Sequence, residues 1–135
     1  MDASRTSRPL VLILSNDDDE LVELYSFLDR QGYLVATRIH PLDAFKYASE
    51  HKPEIVVVGG PLTAAQCKDV IEGIQAVSPR SHVLAVRTED DAFAFCGLAA
   101  DSRVTFFREF SRSQDSWAKI TEILRRITRT LPLSA

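Results

Sequence analysis

The sequence has few of the residues that build disulfide-bonded or metal-bound scaffolds. It holds two cysteines, Cys67 and Cys96, and three scattered histidines among its 135 residues. A secreted disulfide framework normally has more cysteines, and a structural zinc site needs cysteines and histidines at paired spacings. We therefore expect two reduced, buried thiols in a cytoplasmic protein that has neither a metal nor a cofactor.

Long apolar runs and a strong charge of one sign are also missing. The first apolar run, Leu10 to Leu14, is too short for a signal-peptide core or a membrane span. The formal net charge is −3, which is too small to indicate a nucleic-acid or membrane surface. We expect no membrane contact and no direct nucleic-acid binding by this domain.

The sequence does contain a regular alternation of short apolar runs and helical patterns. Continuous apolar or β-branched runs predict strands buried on both faces, and apolar residues recurring every three or four positions predict amphipathic helices. The predicted strands cover residues 10–14, 33–37, 55–58, 82–86 and 104–107. Of the helices after them, the first is expected to be capped by Asp18 or Asp19, the second to open at Pro41, the third to have a capping box at Thr63, the fourth to cover residues 91–100, and the last to be capped by Ser113. The first two helices are expected to bury Leu21, Leu24, Tyr25 and Leu28, and Leu42, Phe45 and Ala48.

Five strand–helix units predict an α/β architecture with parallel strands, in a three-layer sandwich. The length suits a single domain. We expect a disordered tail at residues 1–8, the folded domain at 9–130, and a C-terminal tail or domain boundary at 131–135.

Four segments resemble strands of the receiver domains of response regulators, in order and at suitable spacing. They are Val11–Asp17, Pro53–Gly59, Val83–Thr88 and Phe106–Phe110. In that family the first strand ends in an acidic pair, the third in a phosphoacceptor aspartate, the fourth in Thr or Ser, and the fifth closes with Lys-Pro-Phe. The resemblance covers about residues 9–130. It implies a flavodoxin-like sandwich with the strand order 2-1-3-4-5 and five helices.

The family's phosphorylation site is largely absent from this sequence. Gly59 stands where the phosphoacceptor is expected, and the acidic pair corresponds to Asn16 and Asp17. Arg87 stands at the Thr/Ser position, with Thr88 next to it, and Arg108 replaces the lysine. Thr105 stands where the family has an aromatic switch residue on the fifth strand. The resemblance therefore implies a degenerate site formed by Asn16, Asp17, Gly59, Arg87 and Arg108. Because Mg²⁺ usually needs one or two carboxylates, we expect neither Mg²⁺ nor phosphoryl transfer there.

Two sets of charged residues allow more than one interpretation. The acidic run at residues 17–20 has the composition of a metal cluster, but four acids also complement the dipole at a helix start, and we favour that explanation. Arg87 and Arg108 can form an anion site. We prefer an ion pair between one of them and Asp17 or Asp18, because an arginine fork fits a carboxylate.

The predicted function is regulatory and not enzymatic, because the strand ends offer no nucleophile–base pair and no cofactor motif. We predict a phosphorylation-independent signalling module of a two-component phosphorelay. By the resemblance, it contacts a protein partner or a second copy through the face of helix 4, strand 5 and helix 5. Its polar rim is expected to comprise Asp90, Lys119, Glu122, Arg126 and Arg129. The alternative is a ligand-sensing pseudo-receiver that binds a small anion or metabolite at the vacated site.

Overall fold

The computed structural model describes residues 8–59, 63–87, 103–108 and 114–130. In these ranges strands and helices alternate along the chain. They are β1 (Leu10–Leu14), α1 (Asp18–Arg30), β2 (Leu34–Arg38), α2 (Pro41–His51), β3 (Ile55–Val58), α3 (Ala64–Val77), β4 (His82–Arg87), β5 (Val104–Arg108) and α4 (Gln114–Thr130). The five predicted strands are confirmed to within about one residue at each end. The helix predicted over residues 91–100 and the cap predicted at Ser113 lie outside the described residues.

The strands form one parallel sheet in the order β2-β1-β3-β4-β5, as the resemblance implied. β1 and the central strand β3 are neighbours inside the sheet, and Leu14 lies opposite Val58. The chain runs outward from β1 to β2 and then returns past β1 to form β3. A crevice at such a reversal, at the carboxyl ends of the strands, is where open α/β sheets bind ligands.

Local sequence explains where the helices begin and end. Asp17 is extended and its side chain accepts a hydrogen bond from the Glu20 N–H, so Asp17 is the N-cap of α1. Our assignment of the cap to Asp18 or Asp19 is therefore wrong, because both residues already lie in the first helical turn. After α1, Gly32 adopts a left-handed φ of 92°, which glycine accepts without strain.

Two apolar layers hold the helices against the sheet, and alternate strand residues supply each layer. On one face, Leu12, Leu14, Val56 and Val58 pack with residues of α2 and α3. On the other face, residues such as Val11, Ile13, Ile55 and Val57 pack with α1 and α4. The predicted three-layer sandwich is confirmed. None of the helices in the described ranges has the length and apolarity needed to cross a bilayer.

Two apolar residues were assigned to the wrong side of their helices. Tyr25 on α1 is 44% exposed and Leu42 on α2 is 78% exposed. In α2, Ala44 and Ala48 face the sheet in place of Leu42. α2 also packs against α3. A Cβ on Gly73 would lie 2.5 Å from the ring of Phe45, so a side chain there would force the ring to shift.

The cysteine prediction is tested at one position. Cys67 is buried in α3 and is a free thiol, as expected. Cys96 lies outside the described residues.

Candidate functional site

The carboxyl ends of β1 and β3 bring the predicted site residues to one edge of the sheet. Gly59 follows β3 directly, and its N–H donates to the Leu14 carbonyl at 2.9 Å. Along the same edge, Arg87 at the end of β4 lies opposite Arg108 at the end of β5. The side chains of both arginines are outside the described part of the chain. Their predicted pairing with Asp17 or Asp18 stays a prediction.

A small polar cluster fills the edge between β1, β3 and α1. We call it the Ser15 cluster; it consists of Ser15, Asp17, Glu20 and Gly59. Ser15 is 1% exposed, and its Oγ donates to Glu20 Oε1 at 2.8 Å. The same Oγ accepts from the Asp17 N–H at 3.1 Å, and Asp17 Oδ1 accepts from the Glu20 N–H at 3.1 Å. These bonds tie the end of β1 to the first turn of α1.

The carboxylate of Glu20 lies directly over Gly59. A Cβ on residue 59 would overlap Glu20 Oε1 and lie 3.0 Å from Glu20 Cδ. Glu20 is only 7% exposed, whereas glutamates are almost never buried without a partner. The space next to the Gly59 backbone is therefore already occupied by a carboxylate that comes from α1.

The residues present do not fit a magnesium site. Asn16 is exposed, Gly59 has no side chain, and the Asp17 carboxylate is used as the helix cap. Glu20 is turned toward Ser15 and buried. Mg²⁺ prefers near-octahedral oxygen ligands that include one or two available carboxylates. In the stretches that the structure describes, no three His, Cys, Asp or Glu side chains are grouped so that they could hold a metal ion.

The acidic residues after Ser15 divide into different roles. Asp17 caps α1, and Asp18, Asp19 and Glu20 lie in its first turn. Negative charge in the first turn of a helix stabilises it by about 0.3–1 kcal/mol per group. Asp18 and Asp19 are exposed and suit the dipole explanation that we favoured. Glu20 does not, because its side chain is directed into the sheet edge.

The position expected for an aromatic switch residue is a hydroxyl held by the neighbouring strand. Thr105, on β5, lies opposite Leu84 of β4. Its Oγ1 is 2.9 Å from Nε2 of His82, which also lies on β4. A short hydroxyl fixed in this way has no ring to swing between two positions.

The structure describes part of the polar rim that was predicted for partner contact. Lys119, Glu122 and Arg126 are exposed on α4, while Ile120, Leu124 and Ile127 pack against the sheet. Arg129 belongs to the same helix, but its side chain is not described. Asp90 lies outside the described residues, so the structure does not test whether it joins this surface.

Sequence reasoning missed Glu20 as a site residue. It was grouped with its three acidic neighbours, although only Glu20 continues the buried stripe of α1. Glu20, Leu24 and Leu28 follow each other at intervals of four, and all three are buried. A carboxylate on an apolar helical stripe was the available signal.

Comparison with known proteins gives a sequence likeness to a transcriptional regulatory protein. No protein-family model matches the chain. The transcriptional regulatory protein PrrA of Mycobacterium tuberculosis is 31% identical over 104 residues, which cover 77% of this chain and 39% of that protein. PrrA of Mycobacterium bovis gives the same values. The chain thus spans about two fifths of the length of these curated relatives.

Solved structures show the same fold. The chemotaxis protein CheY4 of Vibrio cholerae superimposes with a TM-score of 0.74 at 14% identity, covering 89% of this chain and 98% of that chain. The receiver domain of the sensor histidine kinase PA1611 from Pseudomonas aeruginosa, solved with a coordinated magnesium ion, also gives 0.74 at 14% identity. Here the coverage is 91% and 99%.

Proposed function

We propose that this receiver-like domain of the two-component response-regulator superfamily signals by protein contact and without phosphorylation. Superfamily membership is supported by the fold of its structural neighbours and by 31% identity to PrrA over 77% of the chain. The proposal treats the domain as a regulatory module and not as an enzyme. It also assumes a cytoplasmic location and no direct contact of this domain with nucleic acid.

One observation carries the proposal: the strand end that should hold a phosphoacceptor has no side chain. Gly59 is buried at the end of β3, and the nearest atoms to any Cβ placed there belong to Glu20. Phosphorylation needs a carboxylate that is open to a phosphoryl donor and a bound cation. Residue 59 has no carboxylate, and the space beside it is occupied by the carboxylate of Glu20.

The direct test is incubation with acetyl phosphate and Mg²⁺, followed by intact-mass measurement. We expect no change in mass, because Gly59 offers no nucleophile and Glu20 is buried. A receiver that retains its aspartate serves as the positive control under the same conditions. A phosphoryl adduct on this chain that hydroxylamine removes would refute phosphorylation independence.

The proposed output is a permanently available contact face that includes α4. Its described polar residues, Lys119, Glu122 and Arg126, are exposed with both signs of charge present. Opposite charges on one face can pair across a two-fold axis when two copies meet. A fixed hydroxyl at Thr105 supports a face that does not depend on a switch.

Charge reversal tests this face. We expect Arg126→Glu with Arg129→Glu to weaken self-association or partner binding, measured by light scattering and by binding of the isolated partner, with the melting temperature unchanged. Lys46→Glu with Lys68→Glu is the matched control, because these exposed lysines lie on α2 and α3, on the opposite face of the sheet. A strictly monomeric protein whose partner binding survives the double reversal would show that another surface is used.

The ligand-sensing alternative has one supporting observation. Arg87 and Arg108 end neighbouring strands in the same register, which suits an anion held between two guanidinium groups. The Glu20 carboxylate beside Gly59 opposes it, because its negative charge repels an anion at the same edge. We therefore rank protein contact first. Calorimetric titration with inorganic phosphate distinguishes the two, since only the alternative expects binding.

A further inference from the structure

Among the residues that the structure describes, Glu20 is the one acidic side chain that is buried. It lies on the inward stripe of α1 with Leu24 and Leu28. Its Oε1 accepts a hydrogen bond from the Ser15 hydroxyl, and Ser15 itself is buried. A carboxylate is costly to bury, so a helix rarely turns one toward the core unless a hydrogen-bonded position awaits it.

Gly59 is the matching feature on β3, and its backbone does not explain why it is glycine. Among the described residues, positive φ angles occur only at Lys52 and Gly32. The backbone of residue 59 is therefore open to other amino acids. What excludes a side chain is space, because the three nearest atoms to a Cβ there are Glu20 Oε1, Cδ and Oε2.

We propose that Glu20 is a built-in occupant of the acceptor position. The carboxylate that a phosphorylatable receiver carries on its third strand is supplied here by the first turn of α1, and residue 59 is glycine to admit it. This inference rests on the proposed function and gives its mechanism: the site is permanently filled by the chain itself. One charged group, tied to Ser15, holds β1, β3 and α1 in a single arrangement.

The test is the effect of Gly59→Ala in two backgrounds. In the native background, the added methyl group displaces the Glu20 carboxylate from Ser15, and we expect the unfolding equilibrium constant to rise. In the Glu20→Ala background the methyl group enters free space. There, replacing glycine at an unstrained position should lower the unfolding constant by about two- to fivefold. The expected result is a reversal of sign, measured by urea denaturation.

A graded series keeps the test informative if Glu20→Ala does not fold. Glu20→Gln keeps the length of the side chain, so Gly59→Ala should remain destabilising. Glu20→Asp shortens the side chain by one methylene and moves the carboxylate away from residue 59, so Gly59→Ala should destabilise the protein less. Gly73→Ala is the matched control, because its added methyl group meets the Phe45 ring and not Glu20. It should lower the free energy of unfolding by the same amount in every background.

The outcomes separate this inference from the proposed function. If Gly59→Ala has the same sign and size with every residue at position 20, Glu20 does not occupy the site and the inference is overturned. A phosphoryl adduct in the acetyl phosphate experiment would refute the proposed function, whatever the denaturation series shows. Sign reversal with no adduct supports both.

Discussion

Both ends of the central sheet hold a buried serine, but the two serines have different kinds of partner. At the amino end, Ser81 precedes β4 and donates to the Pro53 carbonyl, and its Oγ lies 2.6 Å from the Ser78 Oγ. At the carboxyl end, Ser15 follows β1 and donates to a carboxylate. Ser15 and Ser81 are each 1% exposed. Ser81 is bonded to neutral groups, Ser78 in its own loop and Pro53 in the loop before β3, whereas Ser15 connects a strand to a carboxylate from a helix.

Two equally buried serines therefore have different roles. Ser81 stabilises the fold at the amino end of the sheet, and Ser15 belongs to the candidate site at the carboxyl end. At the amino end, Glu54 adds to the framework by accepting the Leu10 N–H at 2.6 Å, while its own main chain bonds to β1 and β4. None of these hydrogen bonds depends on a neighbouring residue having no side chain. At the carboxyl end, the polar group is stable only because residue 59 leaves space for it.

The largest effect is expected at the amino end. Ser81→Ala should lower the free energy of unfolding by about 2–3 kcal/mol, because it leaves the buried Pro53 carbonyl and the Ser78 hydroxyl without a partner. Urea denaturation measures this, and the exposed Ser49→Ala is the control. The loss should be the same in a Glu20→Ala background. A dependence on residue 20 would mean that the two ends are coupled through the sheet.

A smaller effect is expected from Ser15→Ala. The free energy of unfolding should fall by about 1–2 kcal/mol, because the Glu20 carboxylate loses its hydrogen-bond donor but lies close enough to the surface to bind water instead. Ser26→Ala, on the exposed side of α1, is the control. Combining Ser15→Ala with Glu20→Ala should cost less than the sum of the single changes. Full additivity would contradict the bond between the two side chains.

The smallest effect concerns the cap of α1. Asp17→Ala should cost about 1 kcal/mol, whereas Asp17→Asn should change stability by only a few tenths, because asparagine caps a helix as well as aspartate does. Thermal unfolding by circular dichroism measures both. Asp19→Asn, in the first turn, changes charge without changing the cap. If Asp17→Asn were as damaging as Asp17→Ala, the charge of Asp17 would matter beyond capping.

Much of the fold was predictable because a strand buried on both faces of a parallel sheet appears in the sequence as a short apolar run. The runs at Leu10 and Ile55 fixed the two central strands, and the position of Gly59 followed from the second run. The buried faces of the helices were harder to predict than the strands. Leu42 was assigned inward by its period, but the shorter Ala44 and Ala48 allow a closer approach of α2 to the sheet.

The site was predictable where it depends on strand register and not where it depends on a helix face. Gly59, Arg87 and Arg108 lie at strand ends, and pairing alone brings them to one edge. Glu20 reaches that edge through the rotation of α1, which its place in an acidic run concealed. Its contact with Gly59 joins residues from separate elements, and neither residue reveals it alone.

The overlap between Glu20 and a side chain at residue 59 constrains how sequences of this kind can change. A chain with a carboxylate on β3 and another on α1 would place both in one space. A chain with neither would leave Ser15 without its acceptor. Any path of single substitutions between the two arrangements must therefore cross one of these less stable forms. Residues 20 and 59 are expected to change together, and a substitution tolerated at either one depends on the residue at the other.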